Sequence, residues 1–305
     1  MQRSMKAPVP VPGKIATDTG PLVTGFFDLP TNTISYVAAD PATGKCAIID
    51  CLLDYDHASG CTNTQSADAL IGFVKADDLS VEWIIDTHVH ADHLTAAPYV
   101  RHHLGGKIAI GNHITNVQKT FSDVFNEDDQ FHTNGSQFDH LFTDDETYSV
   151  GDLTARAIHT PGHTPACMCH LIGDALFTGD TLFMPDFGTA RCDFPGGDAN
   201  ALFQSIHRLF SLPDETRVFV GHDYKAPGRD EFAWETTIRT QKETNVHVGA
   251  GTTRETFVKM REARDATLAM PKLIYPSVQV NMRAGTFPAP ENNGKRYLKI
   301  PLNTF

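Results

Sequence analysis

The stretch IIDTHVHADH, residues 84–93, places three histidines and two aspartates directly after an apolar run. His88 and His90 are one residue apart, so an extended chain turns both imidazoles to the same side. Asp92 and His93 follow at the predicted start of a helix. Imidazole and carboxylate groups are the usual protein ligands of zinc, iron and manganese. Because so many titratable groups beside an apolar strand need a compensating charge, the stretch predicts a metal site.

Three later stretches share one pattern, an apolar strand that ends in glycine together with histidine or aspartate: HTPGHTP (159–165), FTGDTLF (177–183) and VGHDY (220–224). Their candidate ligands are His163, Asp180 and His222. The glycines allow the backbone to turn tightly beside each ligand. His159 lies before its turn, and we expect it to be a hydrogen-bonded core residue rather than a ligand.

Around these motifs the sequence alternates between strand and helix patterns. The predicted strands are 34–40 and 45–51, which form a hairpin, and then 81–86, 107–111, 153–160, 166–173, 175–180 and 217–223. The predicted helices are 65–76, 93–105, 198–212, 231–242 and 253–269. The alternation favours an α/β layered sandwich, with the polar motifs at one edge of the sheets. Residues 121–145 are acidic and aromatic without a clear period, which predicts a long loop.

Composition narrows the classes of partner. The chain has 305 residues and a formal net charge of −12, and acidic proteins repel phosphate backbones, so we expect no nucleic-acid partner. No stretch has the roughly 20 apolar residues of a membrane helix, and no apolar segment follows the basic N-terminus as in a secretory signal. A cytoplasmic protein without a membrane partner is predicted, with its six cysteines as reduced thiols.

The order of the motifs, His-x-His-x-Asp-His and then histidine, aspartate and histidine, resembles the metallo-β-lactamase superfamily from Ile34 to about Lys225. The resemblance implies an αββα sandwich with the site at the sheet edges. It also implies a metallo-β-lactamase-like domain over residues 1–225 and a helical C-terminal extension over 226–305, packed on the same domain. In the superfamily pattern, one metal would be bound by His88, His90 and His163, and another by Asp92, His93 and His222, with Asp180 bridging them.

Three further segments resemble the persulfide dioxygenases: ARCDF (190–194), similar to their Gly-Arg-Thr-Asp-Phe segment, HDYK (222–225), and PSVQVNMRAG (276–285), similar to their Asn-Met-Arg segment. The chain as a whole, including its C-terminal segments, resembles a bacterial branch of the family whose members are described as β-lactamase-like hydrolases. The resemblance implies one Fe(II) per chain, held by His88, His163 and Asp180 as a facial triad with open positions on the metal. It implies oxidation of glutathione persulfide by O₂ and water to sulfite and glutathione.

The same resemblance implies a pocket for glutathione. Arg191 would form two hydrogen bonds to a carboxylate, and Tyr224 would offer a hydroxyl near the metal. An ion pair of Arg191 with Asp193, and a packing role for Tyr224, are the alternatives. Asn281 and Arg283 would line the same cleft.

Two residues depart from the family pattern. Ala190 and Cys192 stand where the family usually has glycine and threonine. We interpret Cys192 as an inert small residue rather than a thiol that meets persulfide. These two departures bear less on the reaction than on the identity of the substrate, which is the persulfide of glutathione or of another low-molecular-weight thiol.

A dinuclear zinc hydrolase of the glyoxalase II type is the alternative function. All seven ligand positions of the superfamily are present, so two Zn(II) ions could bind and a metal-bridging hydroxide could attack a glutathione thioester. The Asn-Met-Arg segment favours the dioxygenase. In that interpretation His90, Asp92, His93 and His222 hold water, orient the triad or exclude a second ion. The family resemblance also implies a homodimer.

Overall fold

The computed structural model describes residues 10–12 and 20–304, and two facing β-sheets form its centre. The first sheet contains, in spatial order, β1 (Pro10–Pro12), β2 (Leu22–Asp28), β3 (Thr33–Ala39), β4 (Lys45–Ile49), β7 (Ser80–Ile85), β9 (Lys107–Gly111) and β10 (His140–Phe142). The second contains β11 (Thr147–Val150), β12 (Leu153–His159), β13 (Met168–Ile172), β14 (Ala175–Phe177), β15 (Arg217–Phe219) and β16 (Glu235–Thr237). A smaller sheet is formed by β6 (Cys61–Asn63), β5 (Leu52–Asp56) and β8 (Leu94–Thr95).

Helices cover the outer faces of both large sheets. The first sheet is covered by α1 (Gln65–Ala76), α2 (Ala97–Leu104), α3 (Ile114–Phe125) and α7 (Ile274–Asn281). The second sheet is covered by α4 (Ala199–Leu209), α5 (Ile238–Thr244) and α6 (Arg254–Asp265). The predicted αββα sandwich is confirmed, and so is the hairpin of β3 and β4, in which Tyr36 lies opposite Ile49.

Aromatic side chains fill the space between the two sheets. The ring of Tyr36 on β3 lies 5.4 Å from that of Phe177 on β14 and 5.7 Å from that of Phe219 on β15. Its hydroxyl donates to the Val220 carbonyl at 2.6 Å, so the polar tip of the buried ring is satisfied. Since this close packing fixes the strands relative to one another, the loops that leave their ends start from defined positions.

The prediction of a helix over residues 93–105 was wrong at its start. Residues Leu94–Thr95 pair with Leu52 and Leu53 as a strand, and the helix begins only at Ala97. Pro98 lies in the first helical turn, where its missing N–H costs nothing. Asp92 and His93 therefore lie in a loop rather than at a helix start.

The boundaries of two other predicted segments were also wrong. Within the predicted loop 121–145, the first residues end α3 and the last include β10, which leaves 126–139 irregular. Phe121 and Phe125 are buried at helical spacing, and this packing extends the helix. In the predicted helix 231–242, residues 231–237 are not helical: Glu235–Thr237 pairs with β15 as β16, and α5 begins only at Ile238.

The C-terminal segment contributes to the cores of both helical layers. Phe257 of α6 packs in the layer on the second sheet, and Val278 and Val280 of α7 pack in the layer on the first sheet. The division of the chain at residue 225 stays a prediction. In the part of the chain that the structure describes, every helix is too short or too polar to cross a membrane.

Candidate metal centre

The four motif stretches meet at one edge of the sheets. His88 follows β7, His163 follows β12, Asp180 follows β14 and His222 follows β15, each within four residues of the strand end. Gly179 has φ +47°, and a Cβ there would lie 2.4 Å from the Thr87 hydroxyl oxygen. Glycine at this position therefore lets the strand that carries the aspartate approach the histidine loop closely.

His88, His163 and Asp180 form a first group of potential ligands, with one donor atom of each within 4.8 Å of the others. Asp180 Oδ2 lies 3.6 Å from His163 Nε2 and 4.0 Å from His88 Nε2, beyond hydrogen-bond distance. All three residues are buried, and His88 Nε2 and Asp180 Oδ1 have no hydrogen-bond partner. Because unsatisfied buried polar atoms are costly, this donor set fits a divalent cation.

A second group contains His90, Asp92 and His93, and His222 adjoins it. Asp92 Oδ2 lies 3.2 Å from His93 Nδ1 and 3.4 Å from His222 Nε2. His222 Nε2 is also 3.3 Å from Asp180 Oδ1, without hydrogen-bond geometry. Asp92 Oδ2 thus accepts a hydrogen bond from His93 Nδ1 within the protein, whereas Asp180 Oδ1 has no hydrogen-bond partner. Unpartnered donors nevertheless remain at His90 Nδ1 and His93 Nε2.

Burial and neighbouring charges set the protonation of these groups. Burial, reinforced by the nearby His90, holds the pKa of His88 well below its usual value, which keeps the ring neutral as metal ligation requires. Burial would raise the pKa of Asp92, but His222 and His93 outweigh it and hold that pKa well below its usual value. Burial opposes a charged His93, but Asp92 prevails and raises its pKa.

Asp50, which lies outside the four motif stretches, organises the histidine loop. It follows β4 with φ +52° and is buried. Its carboxylate accepts the Thr87 N–H at 2.7 Å and the Thr87 hydroxyl at 2.9 Å, and lies 2.9 Å from His90 Nε2. Because the Thr87 hydroxyl donates to Asp50, its oxygen accepts from His88 Nδ1 at 3.0 Å, which leaves His88 Nε2 free for a metal. The only local signal was an aspartate after the apolar strand CAII.

His163 is oriented by the loop that carries Arg191. Its Nδ1 donates to the Arg191 carbonyl at 2.7 Å, so Nε2 is the nitrogen that faces Asp180. His159, in contrast, bonds to the Pro165 carbonyl through Nε2 at 2.9 Å and is not in the ligand groups. Its expected place as a hydrogen-bonded residue outside the ligand set agrees with these contacts.

A cavity of about 1410 Å³ opens beside the first ligand group, and His163 and Asp180 line it. The β5–β6 hairpin forms one wall, and the segment between α6 and α7 forms another. An aromatic wall is formed by Phe183, Phe187 and Tyr224, with the Phe187 and Tyr224 rings 5.0 Å apart. The metal site is therefore open to a ligand considerably larger than water.

Arg191 and Tyr224 both line this cavity, as predicted for substrate contacts. The structure also shows the alternative contacts for both. Arg191 Nε and Nη2 donate to Asp193 at 2.5 and 2.6 Å, and Nη1 donates to the Ala269 carbonyl at 2.7 Å. Tyr224 stacks on His222, with ring centroids 5.6 Å apart. Contact of either residue with substrate stays a prediction.

Asn281 and Arg283 are not among the residues that line the cavity, so their predicted location was wrong. Asn281 is buried beneath the histidine loop, where its amide donates to the carbonyls of His90 and His93 at 2.9 and 2.8 Å. It also accepts the Thr95 N–H at 2.8 Å. Arg283 forms an ion pair with Glu127 and lies over the ring of Phe131. Asn281 ends α7 and Arg283 follows it, and the contacts of both side chains are with protein groups outside the cavity lining.

Replacing Asn281 should destabilise the loop that carries the ligands. In Asn281→Ala, three buried backbone groups lose their partners, so we expect the free energy of unfolding to fall by about 3 kcal/mol. Urea denaturation measures this change. The exposed Asn293 provides a matched control, Asn293→Ala, which should change stability by less than about 0.5 kcal/mol. Equal losses in the two variants would contradict the role of Asn281.

Cys192 is buried, and its backbone N–H donates to Asp265 Oδ2 at 2.8 Å. Burial raises the pKa of its thiol, with Asp265 as a further cause. A protonated thiol is a weak nucleophile, so these surroundings favour the inert interpretation.

Comparison with known families agrees with the donor set and the layered fold. The family model described as Metallo-beta-lactamase superfamily matches residues 29–222, which include every ligand candidate. The chain belongs to the metallo-β-lactamase superfamily. Its relatives in the superfamily have names of both hydrolases and oxygenases. A "probable metallo-hydrolase" of Burkholderia pseudomallei is 54% identical over 92% of this chain and 99% of that protein. "Glyoxylase B2" of Dictyostelium discoideum is 48% identical over 91% of this chain and 96% of that protein.

Other superfamily members link the chain to persulfide dioxygenases. The mitochondrial persulfide dioxygenase ETHE1 of Bos taurus is 26% identical over 87% of this chain and 89% of that protein. Among solved structures, ETHE1 from Myxococcus xanthus superposes with a TM-score of 0.69 and is 32% identical, covering 87% of this chain and all of that one. The structural similarity extends beyond the matched domain into the C-terminal part.

Proposed function

We propose that this protein is an Fe(II)-dependent persulfide dioxygenase. It would convert glutathione persulfide, O₂ and water to glutathione and sulfite, with release of two protons. The observation that carries the proposal is the buried group of His88, His163 and Asp180, a two-histidine, one-carboxylate donor set beside a large cavity. The similarity to the two ETHE1 proteins supports the same reaction class.

The chain itself would position the ligands and shield the reaction. When bound, Fe(II) supplies open coordination positions at which a persulfide sulfur and dioxygen can be held together. The Thr87 hydroxyl and the Arg191 carbonyl accept from the Nδ1 atoms of His88 and His163, and so direct both Nε2 atoms to one place. Phe183 and Phe187 form an apolar wall that limits water beside the reacting sulfur.

The second group supports a one-metal site. Oδ2 of its carboxylate, Asp92, accepts hydrogen bonds from the Thr33 hydroxyl and His93 Nδ1, whereas Asp180 Oδ1 has no hydrogen-bond partner, so the first group has the stronger need of a cation. The rival proposal, a dinuclear zinc hydrolase of the glyoxalase II type, has its own support in the unpartnered His90 Nδ1 and His93 Nε2. The name of the Dictyostelium relative points in the same direction.

Metal analysis after anaerobic purification separates the two proposals. We expect about one iron per chain and little zinc, because His88, His163 and Asp180 form a two-histidine, one-carboxylate set in which His88 Nε2 and Asp180 Oδ1 have no hydrogen-bond partner. Two zinc ions per chain, together with cleavage of a glutathione thioester, would establish the hydrolase instead. The cytoplasmic location and the homodimer stay predictions.

A further inference from the structure

We propose that Arg264 and Lys272 form the anion-binding subsite of the cavity and select a zwitterionic peptide thiol, whose carboxylates lie away from the sulfur. The inference rests on the proposed function and moves the carboxylate contact from Arg191 to the C-terminal segment. Four cationic side chains line the cavity: Arg191, Arg261, Arg264 and Lys272. Those whose charge is not already paired within the protein are available to bind an anion.

Two of the four cations are already neutralised. The Arg191 edge that could hold a carboxylate is occupied by Asp193, with both nitrogen–oxygen distances at or below 2.6 Å. Arg261 is buried, and its Nε and Nη2 donate to Asp265 Oδ1 at 2.9 and 2.6 Å. Its Nη1 donates to the Thr189 carbonyl at 3.1 Å. A ligand would have to break these bonds to use either guanidinium.

The other two cations are unpaired within the described residues. Arg264, in the last turn of α6, and Lys272, in the segment before α7, are exposed and take part in no ion pair between described residues. In a chain with a net charge of −12, two unpaired cations on one cavity wall make that wall attractive to anions. The contact of Arg191 Nη1 with the Ala269 carbonyl holds their segment against the metal-site loop.

The cavity lining also carries negative charge. Asp54 and Asp56 on the β5–β6 hairpin line the same cavity as Arg264 and Lys272. Each is held by its own loop, Asp54 by Ser66 and Asp56 by Ser59, so the carboxylates stay in place and can attract an ammonium group. Charges of both signs line the cavity and match a peptide that has carboxylates and an amino group. The cavity volume of about 1410 Å³ exceeds the ~300–1,000 Å³ of typical small-ligand sites, so there is room for such a peptide.

Calorimetric titration of the purified full-length protein with S-methylglutathione tests the subsite without O₂ or turnover. We expect the double variant Arg264→Gln/Lys272→Gln to bind about tenfold more weakly than the wild type, because two charge-assisted contacts are lost. Wild-type binding should also weaken when the salt concentration is raised from about 0.05 to 0.5 M, because salt screens the attraction between exposed charges. Lys259→Gln, on the same helix but outside the cavity lining, should bind like the wild type.

Kinetics with two persulfides exclude a merely structural effect. For the double variant, KM for glutathione persulfide should rise about tenfold with kcat nearly unchanged, whereas 2-hydroxyethyl persulfide, which has no carboxylate, should be unaffected. Unaltered S-methylglutathione binding in the double variant, no binding by the wild type, or equal loss with both persulfides would overturn the subsite. If charge-dependent binding persists while O₂ uptake is absent, the subsite stands and the dioxygenase proposal fails.

Discussion

The His88→Ala and Asp180→Asn variants should lose iron and, with it, O₂ uptake by at least about a hundredfold. Both substitutions remove a donor from the group in which His88 Nε2 and Asp180 Oδ1 have no hydrogen-bond partner within the protein. His88 Nε2 has no hydrogen-bond partner within the protein, and its loss would leave a two-donor site that holds Fe(II) weakly. Metal content measured on anaerobically purified variants, alongside their O₂ uptake, gives the result.

The matched variants come from the second group. His90→Ala and His222→Ala should retain most of the iron, although their activity falls, because neither histidine belongs to the group of His88, His163 and Asp180. His90 Nε2 bonds to Asp50, and His222 lies between Asp92 and Asp180. Equal loss of metal in all the variants would indicate that both groups bind metal together. That outcome would favour the dinuclear hydrolase.

Asp50→Ala should be the most destabilising single change outside the ligands. It leaves the Thr87 N–H, the Thr87 hydroxyl and His90 Nε2 without their buried acceptor. Removing one member of such a buried charged network costs about 3–5 kcal/mol, and we expect the free energy of unfolding to fall by that amount. Iron affinity should fall about 10- to 100-fold, since Thr87 no longer orients His88.

Asp50→Asn is the matched control for this change. In the Oδ1 position its amide oxygen can still accept the Thr87 N–H, so we expect most of the stability to remain. Its NH₂ group cannot accept from the Thr87 hydroxyl, so the hydroxyl no longer orients His88 and iron affinity should fall as in Asp50→Ala. Guanidinium denaturation of the metal-free and iron-loaded forms separates the two effects. A metal-free Asp50→Ala protein as stable as the wild type would show that the carboxylate does not organise the loop.

The sequence predicted the parts of the fold that depend on local patterns. Alternating strands and helices indicated the layered sandwich, and α1 (65–76) was predicted with its observed bounds. The regions that failed depend on pairing with distant strands: β8 pairs with β5, and β16 pairs with β15. Such pairing overrides local helical patterns, and a single sequence does not reveal it.

The residues of the candidate site show the same difference: those with a local signal could be predicted, and those that depend on distant contacts could not. The ligand candidates could be found because each stands next to a glycine or another ligand at a strand end, as His163 and Asp180 do. Asp50 and Asn281 act on the site through hydrogen bonds from elements far along the chain, the latter from α7 to the carbonyl of His93. The residue types of Asp50 and Asn281 indicated polar roles but not where the side chains point. Asn281 was therefore predicted to line a cleft that it supports from beneath.

The central claim is that one iron at His88, His163 and Asp180 couples O₂ to persulfide oxidation. Its most direct test is O₂ uptake by iron-loaded protein with glutathione persulfide, with sulfite quantified in the same sample. We expect one O₂ to be consumed per sulfite formed, at a rate proportional to the bound iron. No O₂ uptake by the iron-loaded protein, together with cleavage of a glutathione thioester by its zinc form, would contradict it.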